Sequence, residues 1–503
     1  MKSFLKTVLA VITGIVVTSL IGCLILVGVI GALSSLSDKK IKVKPKSILH
    51  FKLETEITDR APDNPFEGFN PFSMESKKPM GLKEITDNIA RAKEDENIKG
   101  ILMEISSVEA GISTIDEIRN ALIDFKQSGK FIIAYSDVYM QPAYYLASVA
   151  DSLFLNPEGY LEFRGVKGQL VFIKGLLSKL EIEAQLIRHG KYKSAGEALY
   201  LDKMSNENRE QYTAFIGAIW NHILKGISET RKIPVDELNA IADSLRLRNA
   251  QDALNNKFVD GTVYYDEILS LMRKKIDIGE KDKLNFVTLA KYSKAPDKKD
   301  SKKIPSEKIA IVYAQGDIVD GEGDKDQVGG TAFAKAIREA RENEKVKAVV
   351  LRVNSPGGSA LASEIILREV LLTKKIKPVI VSMGDVAASG GYYISCAADT
   401  IFARPTTITG SIGVFGVIPN AQGFFNNKLG ITFDGVETNT YSDFMSTVRP
   451  LDQFERNVIF QEIERIYETF IAHVAKGRNK TRDEVDSVGQ GRVWSGTDAK
   501  QIG

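Results

Sequence analysis

Histidine and cysteine are scarce in this chain, with four and two among 503 residues. Cys23 lies inside an N-terminal apolar run and Cys396 far from it, so no disulfide scaffold is expected. No Cys/His spacing of the zinc type occurs, and no metal or other cofactor is expected. His50, His189, His222 and His473 are scattered singly, which leaves few candidates for a histidine base. Neither sign of charge dominates: Lys plus Arg number 67 against 65 Asp plus Glu, a formal net charge of +2. With no basic stripe and no interleaved aromatics, nothing suits a nucleic-acid partner.

What is present is a globular composition, 43% hydrophobic and 26% charged, in a chain too long for one ordinary core. It opens on a run without charge from Thr7 to Leu33. As a helix rising ~1.5 Å per residue, that run reaches across a hydrocarbon core of roughly 30 Å. An uncleaved transmembrane anchor is therefore expected, since a signal peptide has a shorter apolar stretch. Leu20-Ile21-Gly22-Cys23 also resembles a lipoprotein cleavage box, although Leu24 to Leu33 stays apolar where a lipoprotein tether is polar. Lys2 and Lys6 precede the run, while Lys39, Lys40, Lys42, Lys44 and Lys46 follow it. Flanking charge alone does not place the following body outside the membrane.

Self-similarity organises the rest. RAKEDENIKGILMEI, from Arg91, matches EARENEKVKAVVLRV, from Glu339, and SDVYMQPAYYLASVADSLFLNP, from Ser136, matches GDVAASGGYYISCAADTIFARP, from Gly384. Both pairs share one offset, 339 − 91 = 384 − 136 = 248, which holds without a gap from Arg91 to Gly165. Apolar runs such as ILMEI, FIIAY, AVVLRV and PVIVSM read as buried strands, and Thr114–Lys126 and Ala360–Lys374 as helices. The alternation implies an α/β fold with a largely parallel core, present twice. The expected layout is an anchor and juxtamembrane segment over 1–46 with its N-terminus in the cytoplasm, a first domain over 47–276, a charged linker over 277–307, and a second domain over 308–503. Asp59 to Met80, rich in Pro, Phe and Asn, reads as a long surface loop whose phenylalanines meet membrane or substrate. Setting Asp252-Ala253 against Asp498-Ala499 puts Gly503 near Lys257, so the second copy is expected to be cut short.

Unlike residues at matched positions point to the chemistry. Asn354-Ser355-Pro356-Gly357-Gly358-Ser359 follows a strand in the second copy, where the first has Ser106 to Gly111. Paired glycines there let backbone N–H groups face a cleft and stabilise an oxyanion; in isolation they would be a tight turn. After the next strand, Ala387-Ala388-Ser389-Gly390-Gly391 sets a hydroxyl among residues too small to shield it, whereas the first copy has Gln141 followed by Pro142. Ser389 is thus the candidate nucleophile, with a helix N-cap as its plainer role. His189 has no acidic partner at a motif spacing. Lys193, in Gly190-Lys191-Tyr192-Lys193-Ser194-Ala195, is the better candidate base, and its counterpart is Ser442, with one residue of slippage. Ser411, in Thr409-Gly410-Ser411-Ile412-Gly413, stands where the first copy has Phe163 and is placed to orient the lysine.

At these residues the chain resembles signal peptide peptidase A in its long, tandem-domain bacterial form. NSPGGS, DVAASGGYYIS, TGSIGVFG and GKYKSA carry the likeness in order and spacing. The resemblance implies two ClpP/crotonase-like domains behind a transmembrane helix, and a Ser/Lys dyad divided between them. Ser389 would be the nucleophile, Lys193 the general base and Ser411 its orienting partner, with Gly357, Gly358 and Gly390 around the oxyanion. It further implies a homotetramer at the bacterial cytoplasmic membrane, with its body on the extracytoplasmic side, degrading cleaved signal peptides. A lysine acting near neutrality must have its pKa brought down from ~10.4, which burial between domains would do. Two other readings stand beside this one: a crotonase-like acyl-CoA enzyme using the same glycines, and a non-catalytic membrane scaffold.

Overall fold

The computed structural model describes residues 2–37, 42–61, 69–70, 75–76, 79–296 and 306–503. Helix Lys2–Ser37 covers the N-terminal apolar run, with the side chains of Cys23 and of 25–37 outside the description. Among the described residues, no helix is long and apolar enough to cross a membrane. Most of the Pro- and Phe-rich segment 59–80 also lies outside the described residues.

Two large sheets follow among the described residues, one per repeat. The first runs Gly261–Thr262, Ser152–Leu161, Phe131–Tyr139, Ile98–Glu104, Ser47–Phe51, Asn285–Thr288, all parallel. The second runs Lys308–Gln315, Val346–Ser355, Val379–Ala388, Ile408–Gly410, Val493–Ser495, and only the last strand is antiparallel. Helices cover the sheets, which is why Ile101, Leu102 and Met103 are all buried in succession instead of alternating. The expected α/β class with a largely parallel core is the one observed. Each sheet carries its own apolar cluster, one around Ile101, Leu122 and Tyr144, the other around Leu351, Ile366 and Ile394.

The repeat extends beyond the stretch legible in sequence. Leu82–Glu94 and Gly330–Glu342 occupy equivalent places, as do the long helices Asn206–Arg231 and Gln453–Arg478. Both long helices stop at a left-handed residue, Lys232 and Asn479. One boundary needs correction. The expected linker 277–307 contains Asn285–Thr288, which pairs with Ser47–His50 as the edge strand of the first sheet. The strand is only four residues long, NFVT, and the charged residues of 277–307 lie on either side of it.

The halves are joined by a ladder that neither could make alone. Glu183–Arg188 of the first pairs antiparallel with Phe415–Asn420 of the second, and His189 N–H continues it to Val414 O at 3.0 Å. Polar contacts lock the relative position. Thr114 Oγ1 donates to Asp385 at 2.5 Å, Ser113 meets Thr406 at 2.9 Å, and buried Arg352 reaches Asp59 at 2.8 Å and Glu117 at 2.9 Å.

Candidate active site

The strand Val379–Ala388 ends one residue before a short helix, Gly390–Tyr393, and Ser389 makes the corner at φ 52°, ψ −118°. A non-glycine residue held there costs about 1–3 kcal/mol, and the surroundings impose it. Ser389 N–H donates to Gly410 O at 2.9 Å, and Tyr393 N–H donates to Ser389 O at 2.8 Å. The corner leaves the hydroxyl half-buried at the rim between the halves.

Gly357 and Gly358 stand opposite, at φ 104° and 151°. A Cβ on Gly357 would come within 2.5 Å of Gly390 N, and one on Gly358 within 2.0 Å of Ile318 O, so neither tolerates a side chain. Ile318 N–H donates to Gly357 O and Ser359 N–H to Ile318 O, both at 2.8 Å, which turns Gly358 N–H to the other side of that bridge. Gly358 N lies 3.2 Å from where a Cβ of Gly390 would be, which sets the two glycines against each other beside Ser389. Gly357 departs from expectation. Its N–H donates to Ser355 Oγ at 3.2 Å, so it provides clearance and not a donor.

The ladder between halves delivers Lys193 to this corner. Its Nζ lies 3.0 Å from Ser389 Oγ, 3.0 Å from Ser411 Oγ and 3.2 Å from Ser411 O. The side chain is 5% exposed. Burial alone pushes the amine's pKa down to about 8, with no carboxylate beside it among the described residues to hold the charge. Phe415 places its ring 5.9 Å from Nζ, and Gly413 leaves room for the aliphatic stem. Ser411 also sits at positive φ, 53°, and its N–H donates to Arg492 O at 2.7 Å. The Lys193 amine and the Ser389 and Ser411 hydroxyls thus lie within hydrogen-bond distance of one another through the amine.

The first repeat lacks this arrangement for visible reasons. Gln141, at the place of Ser389, turns its amide to the Arg164 and Gly165 backbone. Phe163, at the place of Ser411, packs in a cluster with Tyr144, Phe258 and Trp220. Ser442 is far from equivalence with Lys193: it lies in an exposed turn, its Oγ donating to Asn439 O at 2.9 Å. His189 does have an acidic partner, Glu464 from the other half, and stacks on Tyr467 at 3.8 Å. His50, His222 and His473 pair with Glu104, Asp116 and Glu364. Among the described residues, no histidine is hydrogen-bonded to Ser389.

The model of peptidase family S49 matches residues 124–279 and 372–503. The chain belongs to this family. Protease 4 of Haemophilus influenzae is 39% identical over 429 residues, spanning 82% of this chain and 69% of that protein. Protease 4 of Salmonella typhi is 38% identical over 434 residues, spanning 84% and 69%. The chloroplastic serine protease SPPA of Arabidopsis thaliana is 32% identical over 469 residues, spanning 92% and 67%. This S49 member is an SppA-type serine endopeptidase. Membership in a protease family sets aside the acyl-CoA and scaffold readings and implies peptide substrates. Sequence reasoning quoted Gly413 and Phe415 within TGSIGVFG without giving them a role and passed over the turn at Gly491, all of which wall the lysine; the two glycines of GQGR were the available signal for the turn.

Proposed function

We propose that this S49 peptidase cuts peptides with Ser389 as nucleophile and Lys193 as general base, acting on apolar signal-sequence remnants at a membrane. The observation that carries the reading is a buried amine 3.0 Å from the hydroxyl of a strained serine. A neutral lysine has two N–H donors and one lone pair. The two donors suit Ser411 Oγ and Ser411 O, which leaves the lone pair for the Ser389 proton.

In the first step Ser389 Oγ bonds to the substrate carbonyl carbon while its proton passes to Lys193 Nζ. The carbonyl oxygen becomes an oxyanion facing Gly358 and Gly390 N–H. The peptide C–N bond then breaks, and the Lys193 ammonium returns the proton to the leaving amine. Water, deprotonated by the same amine, hydrolyses the ester and frees Ser389. The chemistry is divided between two ClpP/crotonase-like domains, so only a folded chain assembles it.

Membrane anchoring is supported by the uncharged run Thr7–Leu33, and an extracytoplasmic body by the family resemblance alone. Homo-oligomerisation, with four subunits as the family resemblance implies, is supported by unequal use of equivalent segments. In the chain, Glu183–Arg188 of the first repeat pairs with Phe415–Asn420 of the second. Their counterparts, 432–437 of the second repeat and 167–172 of the first, form no strands, and Val171, Phe433 and Val436 are exposed there. A neighbouring copy offering the complementary segment would repeat the same ladder head to tail, and such heterologous contacts form a ring where the rotation between copies closes.

A serine-directed fluorophosphonate tests the catalytic reading. Mass mapping should place the adduct on Ser389 in the wild type and find none in Lys193→Met. Labelling that persists without the lysine amine refutes the base.

A further inference from the structure

Lys193 does not hold its own position. Its loop is gripped by a turn from the other half, Gly489–Arg492, that bonds to the backbone of the lysine's loop on one side and to that of Ile412 and Ser411 on the other. On one side Tyr192 N–H donates to Gln490 O at 3.0 Å. On the other, Gly491 N–H donates to Ile412 O at 2.6 Å and Ser411 N–H to Arg492 O at 2.7 Å. The turn meets Lys193 at van der Waals contact. A Cβ on Gly491 would fall 2.5 Å from Lys193 Cβ and 2.6 Å from both its Cα and its N, and Gly491 sits at φ 84°, in the left-handed region.

The turn is itself tied down by buried groups outside the reacting set. Tyr467 OH accepts Gln490 N–H at 3.1 Å and donates to Asp486 at 2.5 Å, and Gln490 Nε2 donates to Asp486 at 3.2 Å. The Tyr467 ring is stacked under His189, four residues before the lysine. From the first half, buried Gln211 donates to Tyr192 O and Ser194 Oγ, at 3.2 and 2.8 Å, and accepts Val493 N–H at 3.1 Å. It therefore holds the residues on both sides of Lys193 against the strand that follows the turn.

We propose that Gly491 and Tyr467 are positioning residues for Lys193: through the turn Gly489–Arg492 they fix its stem and close the amine off from water. This rests on Lys193 being the base. Nothing but burial lowers the amine's pKa, so a looser turn that admits water raises it back towards the ordinary lysine value. Of the charged groups around the lysine's loop, Arg188 donates to Lys193 O beside Glu197, Arg492 pairs with Glu210 and His189 with Glu464. Lys191 is exposed, its amine 5.4 Å from the centre of the Tyr192 ring, where water screens its charge.

The test is the pH profile of Ser389 labelling by a fluorophosphonate, with melting temperature and peptide KM measured alongside, on the full chain. Tyr467→Phe keeps the ring under His189 and removes only the hydroxyl; Gly491→Ala presses a methyl on the lysine backbone. Both should lower the labelling rate, by roughly 100-fold for Gly491→Ala. Both should also move the midpoint of the profile upward, by about one pH unit, with KM little changed. If Gly491→Ala does not fold, Tyr467→Phe decides. A rate loss with the midpoint unmoved means a merely structural role and overturns the inference. Lys193→Met separates the two levels: if it still labels, the base itself is wrong, and if it is silent while the other variants keep the wild-type midpoint, only the positioning role fails.

Discussion

Lys193 Nζ and Ser389 Oγ lie 3.0 Å apart although 196 residues separate them along the chain, and each comes from a different repeat. Neither repeat has both groups. Their meeting depends on one antiparallel ladder, Glu183–Arg188 against Phe415–Asn420, and on the polar contacts that fix the angle between the sheets.

Ser389→Ala and Lys193→Met should each lower peptide hydrolysis by at least ~1,000-fold, because the pair acts as a unit. Lys193→Arg should not rescue it, since a guanidinium stays protonated and has no lone pair to accept the serine proton. Steady-state rates at pH 8 and 9 check this, with melting curves to show that the variants fold.

Activity should rise with pH through a single step near 8 as the buried amine loses its proton. The same shift has a stability consequence of fixed sign. The folded-state pKa of about 8 lies below the ordinary 10.5, so the charged amine destabilises the fold fully below pH 8. That penalty fades as pH rises from 8 towards 10.5. Lys193→Met should therefore be more stable than wild type at pH 6, by up to ~3 kcal/mol, and lose this advantage near pH 10.5. Denaturant unfolding of both proteins at the two pH values measures it.

Ser411→Ala should retain a measurable rate, reduced roughly 10- to 100-fold, because the backbone carbonyl of Ser411 still receives one amine hydrogen. The loss should appear in kcat with KM little changed.

Gly358→Ala should be damaging twice over. The new methyl would meet Ile318 O at 2.0 Å, and the displaced N–H would no longer face the oxyanion. A fall of about 100- to 1,000-fold in kcat is expected. Gly111→Ala, where a Cβ would press on Asp385 at the contact between halves, should instead lower the melting temperature and disturb the lysine–serine distance indirectly.

Val436→Arg, on an exposed segment that forms no strand in the single chain, should leave monomer folding intact and shift the molecule to smaller species in light scattering. Unchanged mass would argue against the head-to-tail ladder as the contact between copies.

The sequence alone determined the α/β class, the duplication and the candidates for the reacting groups. Strand and helix periodicity is local, and a gapless offset exposes which matched positions have diverged, as at Ser389 against Gln141 and Ser411 against Phe163. It did not reveal that Asn285–Thr288 belongs to the first sheet, because a short edge strand carries too weak a pattern. Nor did it reveal that Gly357 N–H is taken by Ser355, since which side of a turn a donor faces depends on backbone dihedrals. The tertiary structure alone decided the partnership. A lysine becomes a base only when water is kept from it, and the wall that does this, from Gly413, Phe415 and Gly491, is assembled from segments that meet only after both halves have folded and docked.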